Sequence, residues 1–188
     1  MRLTPFIPAV AALTLSGICS AQTFTEFASC EFRVGANFPG EPMAQDISYI
    51  SVNGVSVPAG QFSAESDAGR FVLTAVDFSG NEIDMQQAMD HASEVLRQKG
   101  EVLFEADDAL EDNIPARQFS LGEENGNRLL ATTYMYDRRL YILEAVALPG
   151  APPSAQAVHF VQSIMVLDAG GREVDPDPDA NTYQAANC

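Results

Sequence analysis

RLLATTYMYDRRLYILEAVA, running from Arg128 to Ala147, is the stretch that decides the fold. Two runs rich in aliphatic, aromatic and β-branched residues, Arg128–Tyr136 and Arg139–Ala147, are separated only by the polar pair Asp137-Arg138. Such runs around a two-residue break predict an antiparallel hairpin with a tight turn.

Downstream, Pro149-Gly150-Ala151-Pro152-Pro153 cannot continue a strand and ends the hairpin. Ser154 then caps a predicted helix whose buried face takes in Ala157, Phe160, Val161 and Ile164. Met165-Val166-Leu167 is expected to return to the sheet as a final strand. Upstream, Val102–Ala106 and Ala116–Leu121 are strands. Before them Asp84 is a natural N-cap for a helix that places Met85, Ala88, Met89, Ala92, Val95 and Leu96 on one face, with Gly100 as its stop. Arg70 to Phe78 is apolar on both faces, as expected of a strand covered on both sides. Ile47 to Val57 is strand-like around the turn signal Asn53-Gly54. Gly60 to Glu65 continues extended, and Ser66-Asp67-Ala68-Gly69 closes another hairpin. Glu31-Phe32-Arg33-Val34 alternates as a short strand and runs into the rigid turn Phe38-Pro39-Gly40-Glu41-Pro42. Hairpin strands separated by two helices that need apolar partners give an α+β fold, an antiparallel β-sheet of about six or seven strands flanked by two main helices.

The first 21 residues carry a different message. Arg2 supplies a positive start, Phe6 to Ile18 is mostly apolar, and Cys19-Ser20-Ala21 ends the segment in small residues. This is the pattern of a cleavable secretory signal, too short to span a bilayer comfortably. A retained anchor and a lipoprotein modified at Cys19 are the competing readings, and Ile18 is a poor residue before a lipidated cysteine. The expected organisation is a signal over residues 1–21, an N-terminal extension over 22–30, a domain over 31–168 and an acidic C-terminal tail over 169–188.

The full chain has a net charge of −16, and Lys99 is its single lysine. Such a field repels nucleic acid and anionic lipid, so neither is an expected partner, and no membrane span is expected after signal cleavage. Its plainer meaning is solubility. Removal of the signal leaves Cys30 and Cys188, an even pair that suggests a disulfide in an oxidising compartment. Two free or intermolecular thiols are the alternative.

A resemblance rests on two groups of residues. Phe32-Arg33-Val34 before Phe38-Pro39-Gly40-Glu41-Pro42, and Arg139-Leu140-Tyr141 followed by a Pro/Gly break and Phe160-Val161-Gln162-Ser163-Ile164, resemble the opening and closing elements of small secreted bacterial domains of PsbP-like fold. The likeness covers roughly Glu31 to Asp168, and Ala36-Asn37 lengthens its first turn. It implies an α/β/α sandwich around an antiparallel sheet, and a role like that of extrinsic assembly or stabilising subunits.

Chemistry is sparse. His91 and His159 are the only histidines, and neither sits in a hydrolase motif. Asp107, Asp108, Glu111 and Asp112 cluster after a strand, in a predicted loop or single helical turn, and are the candidate ligands for a hard cation such as calcium. A solvated acidic loop is the plainer reading. Asp77, Glu82 and Asp84 invite the same two readings, although Asp84 already serves as a helix cap. Asp175, Asp177, Asp179 and Asn181 match half of a calcium loop, but Ala180 and Ala186 stand where glycine and an acid are needed. The glutamates of Gly122–Gly126 (GEENG) disfavour phosphate, Arg138-Arg139 is expected to tip a hairpin, and Tyr134, Tyr136 and Tyr141 are expected in core or cross-strand pairs. The expected function is a non-catalytic periplasmic or secreted domain that binds a protein partner or supports an envelope assembly. A small-ligand or divalent-cation-binding protein is the alternative, and a histidine-dependent hydrolase a third.

Overall fold

The hairpin forms as read, with residues paired from Arg128↔Ala147 to Tyr136↔Arg139. Asp137 and Arg138 at its tip both take positive φ, 43° and 61°. Paired left-handed residues match the twist of the flanking strands, which explains why two residues suffice. The computed structural model describes residues 24–110, 114–150, 152–174, 182–186 and 188. The signal segment 1–21 and the half-motif at 175–181 lie outside them.

In chain order the elements are β1 (Thr25–Ser29), β2 (Val34–Phe38), β3 (Met43–Ile50), β4 (Ser56–Ser66), β5 (Gly69–Asp77), α1 (Met85–Arg97), β6 (Glu101–Leu110), β7 (Ile114–Gly122), β8 (Arg128–Tyr136), β9 (Arg139–Ala147), α2 (Ala155–Gln162) and β10 (Met165–Val166). Seven strands form one antiparallel sheet in the order β3-β4-β5-β9-β8-β7-β6. Two meanders, β3–β5 and β6–β9, meet where β5 pairs with β9. The fold is α+β, with the two helices flanking this sheet.

The helices take opposite faces. On one, α1 buries Ala88, Met89, Ala92 and Leu96 against Val76, Phe119, Leu121, Leu129, Ala131, Leu140 and Ile142. On the other, α2 sets Ala157, Phe160 and Val161 against Phe71, Leu73, Tyr134, Tyr141, Leu143 and Ala145. Both caps form: Asp84 accepts from the Gln87 N–H at 2.9 Å, and Ser154 from the Ala157 N–H at 3.1 Å. Val95 departs from the expected stripe and is exposed, while Ser93 is buried. The Ser93 hydroxyl donates to the Met89 carbonyl at 2.8 Å, which satisfies it inside the layer.

The last strand corrects an expectation. β10 pairs with β2 (Met165↔Gly35, Val166↔Val34), so β1-β2-β10 form a separate three-stranded sheet. The chain leaves α2 above the face of the large sheet, where a strand can pair only with another strand in that layer. The opening strand is also displaced: Arg33 takes φ 51°, so β2 begins at Val34 instead of Glu31. Residues 25–29, within the expected extension, form β1 because Phe27 packs on Phe62 and Phe38 with ring centroids 4.5 and 5.8 Å apart. Gly60 seats this small sheet on the large one, since a Cβ there would meet Phe32 Cε2 at 2.5 Å.

Where the sequence suggested a tail, the described residues fold back. Leu167 bridges Glu173, Arg172 bridges Gln184, and Ala185 is buried. Cys188 is bonded to Cys30, with Cα atoms 5.3 Å apart, an ordinary separation for a disulfide.

Candidate functional site

β6 continues to Leu110, so Asp107 and Asp108 are strand residues and not the loop or helical turn that their composition suggested. Adjacent strand residues point to opposite faces. The Arg117 Nε donates to Asp107 at 2.7 Å, on the α1 side of the sheet. Asp108 accepts instead from the Gln118 amide and from its own neighbour, the Ala109 N–H. The two carboxylates do not converge, and Glu111 and Asp112 lie outside the described residues. Among the described residues no group of three or more His, Cys, Asp or Glu side chains could hold a metal ion.

Asp107 belongs to a charged ladder that ties β6 and β7 to α1. Arg97 of α1 donates through Nε and Nη2 to Glu105, at 3.0 and 2.5 Å. Arg117 of β7 reaches Asp107, Asp90 at 3.1 Å and the buried Ser93 hydroxyl at 3.1 Å. The Arg97 hydrogen bonds hold the Glu105 carboxyl below its ordinary range, against the opposing effect of burial and with help from the charges of Arg97 and Arg117. Hydrogen bonding to Glu105 likewise raises the Arg97 guanidinium above its usual value.

The His91 Nε2 lies 3.1 Å from the Ile50 carbonyl, and the His159 ring rests on Phe24 with centroids 4.3 Å apart. Tyr49 lies edge-on to His91, and burial pushes its phenol up to about 12. Tyr134 and Tyr141 are cross-strand partners in β8 and β9. The Tyr134 hydroxyl donates to the Val161 carbonyl at 3.1 Å and the Tyr141 hydroxyl to the Phe32 carbonyl at 3.0 Å, so both act as ties between layers.

Sequence reasoning missed the role of Arg139. Its side chain is buried and bonds Asp77 at 2.8 Å and Asp137 at 3.3 Å, while Arg33 reaches Asp137 at 2.9 Å. The signal available was its first-strand position after a tight turn, which places it inside the sheet and not at the tip.

An open groove of about 370 Å³ lies at the far end of the large sheet, lined by Arg70, Asn125, Asn127, Val146, Leu148 and Pro149 among others. A second, of about 320 Å³, shares Arg70 and Val146 and includes Lys99, which is paired with Glu144.

The most unusual surface is the β6 edge. Val102, Leu103 and Phe104 are consecutive and 41, 46 and 53% exposed. A bulge between Val102 and Phe104 leaves Leu103 without a partner on β7. β6 is the terminal strand of its sheet, and no other strand among the described residues pairs with its outer side. No helix of the described residues is long and apolar enough to cross a membrane. No known protein-family model matches the chain, and no curated protein is significantly similar to it.

Proposed function

We propose that this chain is a non-catalytic periplasmic or secreted domain that binds a protein partner or supports an envelope assembly. The observation that carries this reading is the β6 edge, where three consecutive large apolar residues are about half exposed on an open strand. Open edges are ordinarily shortened, covered or interrupted by charge, and an apolar one is a template for pairing. The Cys30–Cys188 bond supports the compartment, because such bonds persist where the environment is oxidising. The PsbP-like resemblance supports the role of an extrinsic subunit, and we retain it as part of the proposal.

The test is crosslinking inside the cell envelope, with photoreactive benzoylphenylalanine in place of Phe104. The expected result is a discrete adduct with another protein, absent when the probe stands at exposed Asp67 on the β4–β5 turn. No adduct at position 104 would overturn the reading. Calorimetric heat with calcium, and no adduct, would favour the cation-binding alternative instead.

A further inference from the structure

The β6 edge also carries information about the chemistry of its occupant. We infer that it accepts an extended segment of a partner protein that presents a large apolar residue and a lysine or arginine four positions apart on one face. This inference rests on the interaction reading above and narrows it.

Geometry sets the form of the occupant. The outer side of a terminal strand offers a row of backbone donors and acceptors, which another extended backbone satisfies. Side-chain chemistry sets the identity. Phe104, Ala106 and Asp108 stand opposite Ser120, Gln118 and Ala116 and share one face of the sheet. On the other face Glu105 and Asp107 are already engaged by Arg97 and Arg117. Asp108 is different: its side-chain partner is the neutral Gln118 amide, and no cation pairs with it among the described residues. The available face therefore reads apolar, small, acidic. A strand laid alongside is complementary when it sets an apolar side chain by Phe104 and a cation by Asp108.

A second copy pairing through its own β6 fits poorly. In any antiparallel register that covers Val102 to Phe104, an acid of one copy (Glu101, Glu105, Asp107 or Asp108) falls opposite an acid or one of those apolar residues of the other. The net charge of −16 on each chain adds repulsion.

The probe is a blocked nine-residue peptide with threonine at odd positions and arginine, lysine, leucine and valine, in that order, at even ones, so that laid antiparallel to β6 it sets an apolar residue by Phe104 and a cation by Asp108. It is titrated into the ¹⁵N-labelled, disulfide-bonded protein. The expected result is amide shift changes concentrated in Val102–Leu110, with binding weakened about three- to fivefold by Phe104→Thr and again by Asp108→Asn. Asp108→Lys is expected to reverse the preference toward a peptide carrying glutamates in place of its lysine and arginine. Both positions are exposed, so folding is retained and is checked in the same spectra. No shift changes along β6 at millimolar peptide, equal binding of the acidic peptide to the unaltered protein, or self-association lost on Phe104→Thr would each overturn the inference. A protein adduct from position 104 without peptide binding would leave the interaction reading standing and remove only the basic-strand inference.

Discussion

Tyr141 shows how one hydroxyl can hold two layers together. It is fully buried in β9, and its O–H lies 3.0 Å from the Phe32 carbonyl and 3.2 Å from the Arg33 carbonyl. Arg33 has left-handed backbone at φ 51°, a conformation that costs energy for a residue with a Cβ. The Arg33 carbonyl is also used by the Leu167 N–H at 2.9 Å, so Tyr141 sits under the junction of β2 and the chain that follows β10. Burial raises the Tyr141 phenol above its ordinary value and keeps it a donor. Tyr141→Phe retains the ring and strands the Phe32 carbonyl, and is expected to lower stability by about 1–2 kcal/mol in urea unfolding. An unchanged midpoint would show that the tie contributes nothing. Nearby, burial pushes the Asp77 carboxyl up, but the Ser79 N–H and hydroxyl and the charge of Arg139 outweigh it and hold it low. The Tyr141 tie is not visible locally, since Tyr141 and Phe32 are 109 residues apart.

At the scale of the element, α1 and the β6–β7 hairpin are coupled by both packing and charge. The helix was readable because its cap, apolar stripe and C-terminal basic residue are local features. The length of β6 was not, because Asp107 and Asp108 are poor strand formers in isolation. Arg117 and Arg97 supply the tertiary compensation, by pairing with Asp107 and with Glu105 two residues before it. That pairing has a pH signature. The folded Glu105 carboxyl titrates below its unfolded value, so the unfolded chain binds more protons as the solution is acidified. The contribution is complete above the unfolded value near 4 and is lost as pH falls through the lower folded one. Glu105→Gln is expected to flatten the stability profile between about pH 5 and pH 3, with an effect of up to about 1 kcal/mol because the pair is partly solvated. Parallel profiles for the two proteins, from denaturant midpoints at several pH values, would exclude this role.

On the scale of the whole molecule, the Cys30–Cys188 bond closes a loop of 158 residues and fastens the C-terminal segment beside β1 and β2. Constraining so long a loop removes unfolded-state entropy worth up to about 5 kcal/mol on the chain-entropy model. The Cys30→Ser, Cys188→Ser double variant is expected to unfold at lower denaturant. Its amides in residues 25–29 and 182–186 should lose hydrogen-exchange protection before those of the large sheet do. Uniform loss of protection would mean that the small sheet and the large one open as a single unit. The sequence determined by itself what depends on near neighbours: the β8–β9 hairpin, both helix caps, the stripe of α1 and the α+β class, with the cysteine count making a bridge plausible. Tertiary structure alone decided that β10 joins β2, that the last residues fold back, that Arg139 is a buried ion-pair partner and that the apolar start of β6 faces water. Each of these depends on which strand lies beside which, and local residue patterns set an element's type without setting its neighbour.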